Sequence, residues 1–379
     1  MLLRSIAIPV GMIMAFLLLW WLWPSPINPV GWDEPTPPEL TGRLAPNAAL
    51  SDATIYQTGI FGSARGIAVS PDGQVYFGTP DGNVFLLNLV DETVQGEPVL
   101  VAHIADDSVY GLGWIEDAVL GVTCASGVYS LDLNSLEVRT ISTGEMTRGF
   151  GIVTAMTIGP DGIIYFTDAS TRWAHDPRRA AYYFDMLENR PNGVIYSWNP
   201  VTRQTQILQD RLYYPYGIVM AADGQSLFFS EPFRYTIQRL WLAGPQAGHL
   251  DIVAENLPGM PAGLTLDQHG NLAVAMLSQR SRLLTFVHRN PGPTGLLIKL
   301  PQWLRPSDAK PQGYILRLDP GTGEILDTFQ SPDSELSYIS NITTDADGAL
   351  WFGSAFGSFV ARYLPPSPPA DAGRETTSN

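Results

Sequence analysis

A chain of 379 residues with 37 acidic against 22 basic side chains carries a formal net charge of −15. That balance excludes nucleic acid as a partner, because phosphate backbones are held by concentrated Lys and Arg. Only 16% of residues are charged and 45% are hydrophobic, with 36 Gly and 31 Pro, which suits many short strands and turns.

After a cytoplasmic stub at residues 1–5, Ile6–Trp23 is apolar apart from interruptions at Pro9 and Gly11. At roughly 18 residues it is long enough to span a hydrocarbon core. Arg4 precedes it, and Asp33, Glu34 and Glu39 follow. The positive-inside bias therefore places the N-terminus in the cytoplasm and the remainder on the periplasmic or lumenal side. Trp20, Trp21 and Trp23 fall at the far interface. No small-x-small cleavage site follows, PSPINPV standing there instead, so the span reads as an uncleaved single-pass signal anchor. Residues 24–47 are Pro-rich with no apolar period and read as an extended tether. The globular body runs over 48–364, and 365–379 (PPSPPADAGRETTSN) cannot bury anything and reads as disordered.

Within the body one unit recurs. IGPDGIIYFTD (Ile158–Asp168) holds an Asp-Gly turn followed by a β-branched and aromatic run. The same grammar stands at Val69–Thr79, Ala221–Glu231, Asp267–Met276 and Asp345–Ser354, and without the Asp-Gly turn at Ile115–Cys124. A second strand pair follows most copies, as in GNVFLLN (Gly82–Asn88), GVYSLD (Gly127–Asp132), GVIYSWN (Gly193–Asn199) and GYILRLD (Gly313–Asp319). Six copies of a four-strand unit, spaced by about 45 residues where no loop intervenes, are the signature of propeller blades. Each blade has an apolar face that only stacking around a ring can bury. The fold class is therefore all-β, a six-bladed β-propeller with an N-terminal transmembrane helix. Cys124, the single cysteine, lies mid-strand and suits a buried small hydrophobe.

Two blades carry long insertions, Ser170–Asn192 and Ser278–Gln312. Both leave the ring on one side, where binding residues concentrate on a rigid scaffold. The second contains Ile298–Leu304 (IKLPQWL), an apolar patch able to cover a pocket or touch a membrane.

Five stretches carry a resemblance: YFTDASTRW (Tyr165–Trp173), LENRPNGVIYSWNP (Leu187–Pro200), FSEPFRYTIQRLWLAGPQAG (Phe229–Gly248), ENLPGMPAGL (Glu255–Leu264) and LWFGSAFGSFVARY (Leu350–Tyr363). Together they resemble the strictosidine synthase-like family, with its adipocyte plasma membrane-associated members, inside the wider gluconolactonase and paraoxonase group. The resemblance implies a six-bladed propeller with a central pocket on one face. It implies lactone or aryl-ester hydrolysis aided by a metal, or in a plant branch a metal-free amine–aldehyde condensation. In the hydrolytic branch a calcium ion, needing six to eight oxygen ligands, is held at the starts of inner strands and polarises the carbonyl.

This chain departs from that pattern. Where the family has a blade-one Glu, Arg65 stands; Thr154-Ala155 replaces an Asn-Asp pair; Tyr216 replaces a blade-four Asn; and Ala262-Gly263 replaces a blade-five Asp-Asn. The expectation is no metal and no other cofactor. The condensing branch's blade-six Glu is missing too, Ser340 falling at its place, and no His stands beside Val109-Tyr110-Gly111-Leu112. The five His (103, 175, 249, 269, 288) show no ligand spacing, and there is no G-x-S-x-G elbow.

Two readings stay open. One is a lactone or aryl-ester hydrolase with a rebuilt, metal-poor pocket. Arg65 would stabilise the oxyanion, Tyr216 and Tyr110 would donate hydrogen bonds, and Asp168 or Glu231, each following an inner strand, would act as base. Thr154, Trp173, Ala262 and Ser340 would line the rest. The other is a non-catalytic propeller in which Arg65 recognises a small anionic ligand or a protein partner. In that reading Asp168 and Glu231 cap loops or pair with Arg172 and Arg234.

Overall fold

Five of the six expected hairpins turn on a glycine in the left-handed region, Gly73, Gly162, Gly224, Gly270 and Gly348. The sixth copy lacks a glycine, and there Ala118 takes the same conformation at φ 61, a strain the surrounding strands hold in place. Each turn joins the innermost strand of a sheet to the second. In the computed structural model the described residues are 22–60, 62–90, 93–145, 148–173, 181–300, 304–305, 310–332 and 334–367, with isolated positions 14 and 20.

Among them are six four-stranded antiparallel sheets, the six-bladed propeller expected from the repeats. The innermost strands are Ile67–Val69, Val109–Glu116, Val153–Ile158, Ile218–Met220, Gly259–Leu266 and Ile339–Thr344. In the sixth blade the outer strand comes from the other end of the chain. Thr54–Gln57 pairs antiparallel with Phe359–Tyr363, from Thr54↔Arg362 to Gln57↔Phe359. That pairing closes the ring.

The blades bury their faces against one another. Val75, Phe77, Leu87, Val360 and Trp351 form one such layer, and Val84, Val109, Leu120, Val122 and Leu131 the next. Cys124 lies in the second layer as a fully buried free thiol. Nearest the axis the strands touch backbone to backbone. A Cβ on Gly66 would lie 2.7 Å from Gly111 Cα, one on Gly217 2.3 Å from the Ala262 carbonyl oxygen, and one on Gly263 2.9 Å from Asn341 Cα. Gly217→Ala should therefore destabilise the propeller by about 1–3 kcal/mol through overpacking. Denaturant unfolding checks this, and a midpoint equal to wild type would contradict the close approach.

The two insertions form a roof. The first carries helix α1 (Ala181–Glu188); the second carries α2 (Arg282–Arg289), capped by Ser281, and α3 (Pro291–Leu297). Of the expected apolar patch, Ile298 is buried and Leu304 is exposed.

The Pro-rich segment is extended, as expected, but it does not hang free. Val30 N–H donates to Glu188 O (3.0 Å) and Trp32 N–H to His288 O (2.9 Å). Ile27 is buried among Leu284, Val287 and Ile298, and the Glu34 carboxylate meets His288 Nδ1 at 2.6 Å inside the roof. The segment is a strap across α1 and α2. Proline excludes it from helix and sheet but not from side-chain docking.

The expected span Ile6–Trp23 falls largely outside the described residues; Met14, Trp20 and Leu22 are helical. No helix among the described residues is long and apolar enough to cross a membrane. The expected disordered tail falls outside them from residue 368 onward.

Candidate functional site

The innermost strands begin with a recurring irregularity. Tyr110 is the extra residue between the pairs Val109↔Cys124 and Gly111↔Thr123, and Thr154 between Val153↔Asp168 and Ala155↔Thr167. Ser340 is likewise extra between Ile339↔Ser354 and Asn341↔Gly353, and Ala262 and Gly263 lie between Pro261↔Met276 and Leu264↔Val274. A bulge frees one residue from the ladder and re-aims its side chain. Arg65 and Tyr216 hold the matching positions in the other two blades, each just before a glycine that opens the strand. The six positions are those singled out in the sequence.

Four of the six come together. The Arg65 guanidinium lies 5.0 Å from the Tyr110 ring centroid. Its Nε donates to Ser63 Oγ (2.9 Å) and its Nη2 to Ala355 O (3.4 Å). No carboxylate pairs with it among the described residues. Burial pushes the Tyr216 hydroxyl up to about 12; Arg65 and Ser340 hold it back and Tyr110 adds to the rise. Ser340 is fully buried beside Tyr216, and its hydroxyl makes no hydrogen bond of good geometry. Across the mouth, Asn341 Nδ2 donates to Tyr110 O (2.7 Å) and ties the sixth blade to the second.

The other two positions face elsewhere. Thr154 Oγ1 is spent on Thr167 (2.9 Å) and on the carbonyl of Tyr216 (3.0 Å), stitching blade three to blade four. Ala262 is buried and offers its carbonyl to Ser230 Oγ (2.7 Å). Trp173 belongs to the roof, its ring tilted against Phe184 at 5.1 Å and its Nε1 donating to Glu188 (3.2 Å).

The two carboxylates expected as bases need correction. Asp168 and Glu231 end the second strand of their blades, not the innermost, and both are buried. Asp168 accepts the amides of Gly151 and Ile152, both at 2.8 Å. Glu231 accepts the Tyr213 amide at 2.6 Å and the Gln238 side chain. Each caps the loop that leads into its own innermost strand. A buried carboxylate whose two oxygens each accept an amide N–H serves to hold those loops and strands rather than to face the axis. Arg172 pairs with Glu188 (2.9 Å), not Asp168, and Arg234 stacks over Tyr213 at 3.6 Å and Trp32 at 4.2 Å.

Glu231 has a pH consequence. Burial raises its carboxyl to about 7, against the opposing pull of the Tyr213 amide, Gln238 and Arg234. The folded state then binds more protons than the unfolded one between about 4.5 and 7, so stability contributed by this group is full below that window and lost as pH rises through it. Stability measured across this range should fall less steeply in Glu231→Gln than in wild type. Parallel profiles would contradict it.

Side chains absent from the sequence reading complete the site. Tyr182, on α1, donates to Met260 Sδ (3.5 Å) and meets Tyr214 and Phe233 edge-on at 5.6 and 5.2 Å. Burial raises its hydroxyl, with Tyr216 and Tyr338 adding to the rise. Tyr214 and Tyr338 both take the left-handed conformation, at φ 57, in the loops that lead into their innermost strands. Positive φ at a bulky residue is a signature of constrained functional loops, but the sequence letter does not show it.

The fit of the family's calcium can be tested on these donors. The six strand-start residues offer a guanidinium, two phenols, two aliphatic hydroxyls and a methyl, and no carboxylate. No group of three His, Cys, Asp or Glu able to hold a metal occurs among the described residues. Such a set does not fit a hard divalent cation. His288 is committed to Glu34, and His175 lies outside the described residues.

Comparison with known proteins agrees with the resemblance. A strictosidine synthase family model matches residues 154–245, and a strictosidine synthase-like N-terminal model matches residues 42–86. The adipocyte plasma membrane-associated protein of Homo sapiens is 25% identical over 389 residues, covering 95% of this chain and 88% of that protein. The Arabidopsis thaliana protein strictosidine synthase-like 3 is 24% identical over 327 residues, 78% of this chain and 81% of its own. Among solved structures, a gluconolactonase from Xanthomonas campestris superposes with a TM-score of 0.58 at 17% identity, covering 90% of this chain and 99% of its own. A luciferin-regenerating enzyme gives 0.58 at 12% identity, covering 83% and 96%. At such identities the solved structures speak for the fold alone.

Proposed function

We propose that this chain, a relative of the strictosidine synthase-like and adipocyte plasma membrane-associated proteins with the gluconolactonase propeller, binds a small carboxylate with an apolar body at the mouth of its ring. Arg65 holds the carboxylate and the surrounding tyrosines hold the body. The observation that carries this is a guanidinium with no carboxylate partner among the described residues, beside a buried Ser340 hydroxyl that makes no hydrogen bond of good geometry and has Tyr216 as its polar neighbour. A planar fork matches a carboxylate, and aromatic faces hold an apolar body at low entropic cost. On this reading the site works without calcium or another cofactor, in keeping with strand-start side chains that offer no carboxylate. Calorimetric titration of the full chain with benzoate, phenylacetate and neutral benzamide tests this. Binding of the acids and not the amide supports it; equal binding, or none, overturns it.

A second reading is favoured by the convergence of donors. Arg65, Tyr216 and Ser340 stand where the oxygen of a lactone or aryl ester becoming an oxyanion would be stabilised. With Asp168 and Glu231 committed to amide N–H groups, no carboxylate or histidine is placed among the strand-start residues that could act as base. Turnover on this reading is slow, insensitive to chelator and rises with hydroxide concentration. An arylester assay with and without chelator separates the readings, and activation by calcium would contradict both. The anchoring reading, with Ile6–Trp23 in a membrane and the propeller on the non-cytoplasmic side, is supported by the apolar sequence and by the relatives described as plasma membrane-associated. Carbonate extraction of membranes tests it, and release of the full chain would overturn it.

A further inference from the structure

The second insertion has a charge unlike the rest of the molecule. Residues 280–310 contain Arg280, Arg282, Arg289, Lys299, Arg305 and Lys310 against one acidic residue, Asp308, in a chain with 37 acidic and 22 basic side chains. On α2, Arg282, Phe286 and Arg289 are all exposed and stand at i, i+4 and i+7, one stripe of the helix. The inner stripe, Leu284, Val287 and His288, is buried against the strap and α1. The outer stripe therefore pairs cations with a large apolar side chain, the pattern of a helix lying at a lipid interface. Leu304 is 49% exposed nearby in sequence, after the buried Ile298. Asp33 answers one of the cations, pairing with Arg289 at 2.8 Å.

A second observation points to the same partner. Lys299 Nζ donates to Trp20 O (3.3 Å) and sits 5.9 Å from the Trp20 ring. The apolar N-terminal run thus leaves the described structure beside the basic insertion, with Leu22 and Trp23 at 61% and 71% exposure. From there the strap runs along α2 to Trp32 and Glu34. The end of the apolar segment and a cation of the basic insertion, Lys299, thus meet in the roof that also carries the exposed stripe of α2.

We infer that this side is a docking surface for an anionic lipid bilayer, with Phe286 and Leu304 at the acyl boundary and Arg282, Arg289 and Lys299 at the headgroups. The occupant is a bilayer and not a protein because cations flank a narrow apolar stripe that continues into a sequence long enough to enter lipid. Since α1 lies beneath α2 and carries Tyr182 to the site, the mouth of the ring is turned toward the membrane. This inference stands whether the site binds or hydrolyses its ligand.

The test uses the full chain with Cys124→Ser, reconstituted in vesicles of phosphatidylcholine with phosphatidylglycerol. A nitroxide is placed through Phe286→Cys, or through Val201→Cys as reference. Val201 is 90% exposed in the turn between the third and outer strands of blade three, at the end of the blade opposite the mouth. The ratio of oxygen to nickel-chelate collision should be several-fold higher at 286 than at 201. Adding Arg282→Glu with Arg289→Glu should bring 286 down to the value at 201 while the protein stays folded by circular dichroism. Equal ratios at the two sites before those changes, or a full chain that does not associate with the vesicles, would overturn the inference. A ratio at 286 unmoved by the two glutamates would overturn its electrostatic part.

Discussion

Arg65→Ala is expected to weaken binding of an aromatic carboxylate about a hundredfold, which corresponds to roughly 3 kcal/mol. The size follows from where the cation stands. Its Nε and one Nη2 contact are spent on neutral oxygens of Ser63 and Ala355, and the Tyr110 ring covers one face. What is left is the part of the fork able to meet an anion, in surroundings made largely of phenol rings where charge is poorly screened. Arg65→Lys keeps the charge and loses the fork, so it should recover only part of the affinity. If the site hydrolyses esters, the same change lowers kcat more than it raises KM, because an oxyanion exists only in the transition state. An Arg65→Ala protein that binds and turns over as wild type would remove Arg65 from the site.

Asp168→Ala should lower stability by about 2–5 kcal/mol while leaving ligand affinity of the folded protein within about twofold. Its two oxygens accept the amides of Gly151 and Ile152 inside the protein, and removing them strands two buried donors, each worth about 1–3 kcal/mol. Asp168→Asn repairs only one of the two, since its other atom is itself a donor. Urea unfolding reads the first effect and calorimetry the second. The reverse pattern, intact stability with lost binding or turnover, would return Asp168 to the reacting centre.

The propeller was legible because its signals are local. Asp-Gly turns followed by β-branched runs say where a hairpin closes whatever surrounds it, and six repeats leave few ways to bury the faces. Thr54–Gln57 was not legible as the closing strand, because its partner Phe359–Tyr363 lies some 300 residues away and TIYQ resembles any short strand. The strand-start positions could be named because the family resemblance aligns Arg65, Thr154, Tyr216, Ala262 and Ser340 with functional positions of its members, not because any local signal marks them. Their contents could not be ranked. Thr154 and Ser340 read alike as hydroxyls, yet one is consumed between blades and the other lies beside Tyr216 without a hydrogen bond of good geometry. Asp168 and Glu231 failed for a similar reason, since a carboxylate after a strand is the same letter whether it faces a ligand or a loop amide. Pro-rich composition marked residues 24–47 as extended, but only Ile27, Trp32 and Glu34, odd among prolines, hinted that the segment is bound.

The most direct test of the account is a crystal structure of the protein grown with both calcium and benzoate. Carboxylate density on Arg65 beside Tyr216 and Ser340, with no cation at the strand starts, is the predicted result. A calcium ion held there, with Arg65 turned away, would contradict it.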